Sequence, residues 1–175
     1  MNLRHGVTAI ALAALLPSAV SAQTSLAGSL FELHGVTQQN IMATAEDLSQ
    51  EMYDFRPTAE VRSTGEMLAH IAGAQFMFCS MAAGEENPNG ENFEETRTTR
   101  ADIVDALSAG FDYCAGVYNG MTDADAAAER TIPFMPQTPM TAASVLAFNS
   151  AHNYEHYGNL VTYMRLNGIV PPSSR

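Results

Sequence analysis

From Ser25 to about Gln50, side chains suited to a buried face return at steps of three and four, through Leu30, Leu33, Thr37, Ile41, Ala45, Leu48 and Met52. This is the spacing of one buried helical face, so a first helix is expected there, ending before Pro57. Ser63 followed by Glu66 forms a capping box, each side chain reaching the other's free backbone N–H, and opens a second helix that runs to Gly84. Its inner stripe is Met67, His70, Ile71, Ala74, Met77, Phe78 and Met81. Residues 84 to 99 are polar and turn-rich, a connection of sixteen residues where bundle loops need about two to eight. That length predicts a crossover. Thr99 with Asp102 caps a third helix, with Ile103, Leu107, Gly110, Cys114, Val117 and Met121 on its face and a close near Asn119-Gly120. After Pro133 and Pro136, Thr138 as cap and Pro139 in the first turn are expected to start the longest helix, which ends at Asn167-Gly168 before Pro171-Pro172. No strand pattern competes. The reading is an all-α four-helix bundle without internal repeats.

The N-terminus is read as an address. Arg4 precedes a short apolar run over residues 7 to 16, and Val20-Ser21-Ala22 puts small residues where signal peptidase cuts, so 1–22 is expected to be a signal peptide and 23–175 the folded domain. The run is too short to span a bilayer, and no cysteine follows the cut to accept a lipid. The expected location is periplasmic or secreted. The whole chain has 175 residues with 8 basic side chains, all arginine, against 19 acids, a formal charge of -11. Such a charge repels phosphates, which argues against nucleic acid and anionic membrane surfaces as partners, and 46% apolar content argues against disorder. A small-molecule substrate of unknown identity is the expected partner, and a homodimer is compatible with the sequence.

Histidine carries the chemistry. His152 and His156 stand four apart in the last helix, which sets both imidazoles on one face about 5 to 6 Å apart at Cβ, close enough to share a divalent ion. His70 lies on the inner stripe of the second helix, and facing helices of a bundle can donate ligands into the core. A lone inward histidine is as readily a hydrogen-bonded core residue. Three neutral imidazoles without an ion would need three separate partners, whereas one cation satisfies them together. Glu155 either orients an imidazole or acts as a base, or else is a solvated surface glutamate. His152-x-x-Glu155-His156 also fits an inverted zinc-protease motif, but only nineteen residues follow to supply a downstream carboxylate ligand. His34 reads as a core or pocket-lining residue of the first helix, and Tyr154, Tyr157 and Tyr163 as packing residues with hydroxyls at a polar rim.

Phe55-Arg56-Pro57, Arg62-Ser63, Met67-Leu68-Ala69-His70-Ile71-Ala72, His152-Asn153-Tyr154-Glu155-His156-Tyr157-Gly158-Asn159-Leu160 and Tyr163-Met164-Arg165-Leu166-Asn167-Gly168 together resemble the DinB/YfiT-like superfamily. The resemblance spans the chain after the signal. It implies an up-down-down-up bundle with a long crossover between the second and third helices. It also implies a divalent metal on one histidine of the second helix and an H-x-x-x-H pair of the fourth, the positions of His70, His152 and His156. Imidazoles suit zinc or nickel first, with iron, manganese or copper also admitted, and an open fourth position lets the ion activate a substrate, water or thiol. Members with known activity include metal-dependent thiol transferases. The expected function is a metal-dependent transferase or hydrolase; the alternative is a non-catalytic bundle that binds metal or a partner.

The cysteines bear on the topology. Cys79 lies 15 residues past the start of the second helix and Cys114 lies 14 past the start of the third. Parallel helices bring the two level, whereas a tight antiparallel hairpin separates them by roughly 15 Å, beyond the about 7 Å limit for bonded Cα atoms. A Cys79–Cys114 disulfide is therefore expected with the crossover, in keeping with export; two buried thiols packed as small apolar groups are the alternative.

Overall fold

The computed structural model describes residues 25–175; the proposed signal peptide lies outside the described residues. Four long helices, α1 (Leu26–Asp47), α3 (Thr64–Ala83), α5 (Arg100–Gly120) and α7 (Ala142–Leu166), form the bundle. Three short helices, α2 (Gln50–Asp54), α4 (Phe93–Thr96) and α6 (Asp123–Ala127), sit in the connections. The strands β1 (Glu129–Arg130) and β2 (Met140–Thr141) make one small antiparallel pair. The all-α reading holds, and among the described residues no helix is long and apolar enough to cross a membrane.

The caps explain most boundaries. Ser63 and Glu66 form the expected reciprocal box at the start of α3, and Gly84 ends that helix at φ 75°, where a Cβ would be strained. The Thr99 side chain accepts from the Asp102 N–H. The first helix is shorter than its periodicity predicts: Leu48 turns extended and Ser49 caps a new turn, α2, by accepting from the Met52 N–H. The Arg100 guanidinium lies on the carbonyls of Leu48 and Glu46, holding the end of α1 with a cation. Leu33, expected on the inner stripe, is 44% exposed, because the buried face of α1 runs through Ala27, His34, Thr37, Ile41 and Ala45. The last helix starts three residues after the expected Pro139. Met140–Thr141 is taken up in the strand pair, and Thr141 rather than Thr138 supplies the cap, accepting from the Ser144 N–H.

Helix directions follow from contacts. Going up α3, Gly65, Ala72 and Cys79 meet Ile103, Gly110 and Cys114 of α5, so these two helices run the same way. A Cβ at Gly110 would stand 2.9 Å from the Ala72 carbonyl, so the two backbones approach closely there. Along α7 the order reverses: Arg62, just before α3, meets Tyr163, while Gln75 meets Asn149 and Asn153, and Phe78 meets Phe148. Helix α1 also runs against α5, since Phe31 packs on Tyr118 while Glu46 and Leu48 meet Arg100. The sixteen-residue connection thus carries the chain back to start α5 beside the start of α3. Cys79 and Cys114 are bonded, with Cα atoms 5.4 Å apart and no measurable exposure.

Between two apolar clusters lies a buried polar band. Gln75 donates to the Asn153 carbonyl oxygen at 2.8 Å, Asn149 donates to Gln75 at 3.0 Å, and Asn153 donates to the Thr37 hydroxyl at 3.0 Å. These bonds join α1, α3 and α7 in one register, since a slip of either partner leaves amides unpaired in the core. His34 lies beside Phe111 and Tyr118, fully buried, with neither ring nitrogen bonded among the described residues. It is a core histidine, as read from the sequence.

Replacing both cysteines by alanine should lower stability by about 4 kcal/mol, the loop-closure value for a separation of 35 residues. Urea titration of the double variant checks this. Burial holds the folded His34 imidazole at about 4, against 6.5 when free. The unfolded chain therefore binds the extra proton between those values. The contribution is complete above pH 6.5 and is lost as pH falls towards 4, in total about 3 kcal/mol. His34→Leu should flatten the fall in unfolding free energy across that window, measured on metal-free protein.

Candidate metal centre

His70 sits in the second turn of α3, after the Ser63–Glu66 cap, and His152 and His156 sit one turn apart near the middle of α7. The antiparallel register set by the polar band brings the three rings together. His70 Nε2 lies 3.1 Å from His152 Nε2, which lies 3.0 Å from His156 Nε2. The rings of His70 and His156 meet edge to face with centroids 4.8 Å apart. Phe78 packs at 5.3 Å against His152 from the core side. Among the described residues this is the one group of three or more histidine, cysteine or acidic side chains close enough to hold an ion.

The electrostatics favour neutral rings. Burial, followed by the proximity of His156 and His70, holds His152 down at about 3. Burial and His70 hold His156 at about 4, against a smaller opposing pull from Glu155. Neutral imidazoles present lone pairs, and here three ring nitrogens converge on one point. His70 Nδ1 stands 2.8 Å from the Glu94 carboxylate oxygen Oε1, an acceptor that draws the ring proton to Nδ1 and turns Nε2 towards the other two rings. His152 Nε2 can then donate to His70 or accept from His156, but a single nitrogen cannot do both. Without an ion these ring nitrogens can make at most one well-aligned hydrogen bond among themselves, whereas one cation accepts a lone pair from each. Nitrogens sharing one tetrahedral zinc at its usual bond length stand about 3.3 to 3.4 Å apart, a few tenths of an ångström wider than seen here, so a small spreading of the rings admits a cation in their midst. The residues fit the group.

Glu94 is the residue against the triad that the sequence reading missed. It sits on α4 within the crossover, where Arg62 Nε grips Oε2 at 2.7 Å and Nη2 reaches Oε1 at 3.2 Å. Burial pushes the Glu94 carboxyl up, but the bonds from Arg62 and His70 together outweigh it and hold it below the usual carboxylate range. No spacing marks this residue, because Glu94 stands 24 positions from His70 in a segment rich in acids. The one signal was Phe93, a large apolar residue in a polar run, which is 8% exposed and seats α4 on the core.

The other candidates separate. Glu155 is exposed and bonds no imidazole; it lines a cleft of 560 Å³ with Arg56, Arg62, Glu94, His156 and Asn159. Tyr154 is 41% exposed and does not pack, because it points away from the face that buries His156 and Tyr157. Tyr157 accepts from the Ser173 N–H, and Tyr163 donates to the Arg62 carbonyl at 3.0 Å. His34 does not join the triad; its ring packs against Phe111 and Tyr118. A groove of 530 Å³ floored by Ala82, Gly116 and Val117 holds none of the histidines.

Comparison with known proteins follows this geometry. None of the curated proteins compared matches the chain. A DinB-like protein of Bacillus cereus has a similar fold, with a TM-score of 0.71 at 18% identity, over 85% of this chain and 97% of that one. A DinB-like protein of Bacillus subtilis has a TM-score of 0.63 at 20% identity, over 80% and 92%. A mycothiol-dependent maleylpyruvate isomerase has 0.63 at 13% identity, over 79% of this chain and 63% of the isomerase. At these identities the likeness is one of fold. The sequence pattern described as the DinB superfamily matches residues 35–160, a stretch that holds His70, Glu94, His152, His156 and both cysteines, and the chain belongs to that superfamily.

Proposed function

We propose that this protein is an exported metalloprotein that holds one divalent ion on His70, His152 and His156 and uses it in a transferase or hydrolase reaction on a small molecule. The convergence of three imidazole Nε2 atoms at 3.0 and 3.1 Å, beside an open cleft, carries this reading. An ion bound there supplies a Lewis acid that polarises a substrate atom or makes a water or thiol more acidic. The protein groups contribute binding and orientation. Arg56 and Arg62 offer guanidinium groups at the cleft wall, and Asn159 and Glu155 stand on its α7 side. Among the described residues no fourth histidine, cysteine or acidic side chain joins the three ligands, which favours a position open to substrate over a closed structural site.

Zinc or nickel suits a three-imidazole set best, with iron(II), manganese and copper also within its range. The fold shared with a mycothiol-dependent isomerase is compatible with a thiol-dependent reaction. The signal-like segment 1–22 supports export, and with it hydrolysis, which needs no cytoplasmic thiol.

Purified protein should bind one equivalent of zinc or nickel. His152→Ala, which removes the central nitrogen, should weaken binding by at least about a hundredfold, read by competition with a chromophoric chelator. Zinc at about a thousandfold over its dissociation constant should stabilise the wild type by about 4 kcal/mol and leave His152→Ala almost unmoved. N-terminal sequencing of protein recovered from outside the cytoplasm should begin at Gln23; an uncleaved chain held wholly in the cytoplasm would overturn the export reading.

A further inference from the structure

The three imidazoles are not held alike. His152 Nδ1 and His156 Nδ1 are buried without a hydrogen-bond partner among the described residues. His70 Nδ1 meets a carboxylate at 2.8 Å, and that carboxylate is itself clamped by two nitrogens of Arg62. The clamp reaches α7 as well, since the Arg62 backbone carbonyl accepts from Tyr163.

We infer that Glu94 is the positioning residue of the metal centre, fixing the tautomer and angle of His70, and that the crossover carrying it is a working arm of the site. This rests on the metal reading proposed above. The arm is anchored at several points. The Phe93 ring stands edge-on to Phe76 at 6.0 Å, Arg97 lies 5.1 Å over the Phe93 ring, and Arg97 pairs with Glu91 at 2.9 Å. The Asn92 side chain accepts from the Glu94 N–H at 3.2 Å and so starts α4 at the position that aims Glu94 inward. A carboxylate on a ligand imidazole keeps the proton on Nδ1, leaves Nε2 free for the ion and makes that nitrogen more basic.

Three readouts test the inference on the full mature chain. Zinc affinity by chelator competition should fall 10- to 100-fold in Glu94→Ala, within the range usual for such outer partners. It should fall less in Glu94→Gln, whose amide oxygen still accepts from Nδ1. The melting temperature of metal-free Glu94→Ala should stay within about 2 °C of wild type, because the carboxylate is partly exposed and outside the core. In metal-free protein, nitrogen-15 NMR of the histidine rings should show His70 protonated on Nδ1 in the wild type and in Glu94→Gln, and shifted towards the Nε2–H form in Glu94→Ala. Phe93→Ala should weaken zinc binding with Glu94 still present, and adding Glu94→Ala to it should cost little more, as coupled residues require. Unchanged zinc affinity in Glu94→Ala, or a wild-type His70 protonated on Nε2, overturns the inference and leaves the metal reading standing. A wild type that binds no metal ion overturns both.

Discussion

Two long helices running in opposite directions must be locked to a fraction of a turn before His70 can meet His152 and His156. One residue of slip along α7 moves a side chain by about 1.5 Å and turns it by about 100°, enough to scatter the three nitrogens. Apolar packing alone tolerates such slips poorly but does not forbid them. The amides of Gln75, Asn149 and Asn153 do, because each bond in the band is made in only one register and an unmade one leaves a buried polar group bare. The Cys79–Cys114 bond ties α5 to α3 beside that band, and Tyr163 ties the far end of α7 to Arg62.

Charge works with this geometry. The protein is strongly acidic, yet the cavity between α3 and α7 keeps two of its histidines neutral by withholding water from them. Protonated rings would repel both one another and a cation. The acidic group drawn in close, Glu94, meets two guanidinium nitrogens as well as an imidazole, so it reaches the site as an oriented acceptor. The cleft beyond is walled by side chains of both signs and is polar, unlike the apolar pocket typical of drug-sized ligands.

The bundle was legible because its signals are local. Ser63 and Glu66, Gly84, and Thr99 and Asp102 act through backbone groups within one turn, so their spacing alone marks helix ends. The His152/His156 pair was legible for the same reason, four residues being one turn of helix. The break at Leu48–Ser49 and the start of α7 were missed because each was decided by a competitor. Ser49 captured its own turn with help from distant Arg100, and Thr141 took over as cap once Met140–Thr141 paired with Glu129–Arg130. Leu33 shows that periodicity marks a stripe without telling which of its members lies at the edge.

The sequence by itself determined the helical class, the main caps, the three histidines as a candidate set and the cysteines as candidate partners, since each depends on residue types at short separations or on a pattern of them. Tertiary structure alone decided that an acid of the crossover, Glu94, stands against His70 while Glu155, adjacent to His156 in the chain, faces solvent. The physical reason is that a hydrogen bond needs its atoms within about 3 Å in space. For residues 24 positions apart, only the packing of Phe93 and the path of the returning chain can supply that.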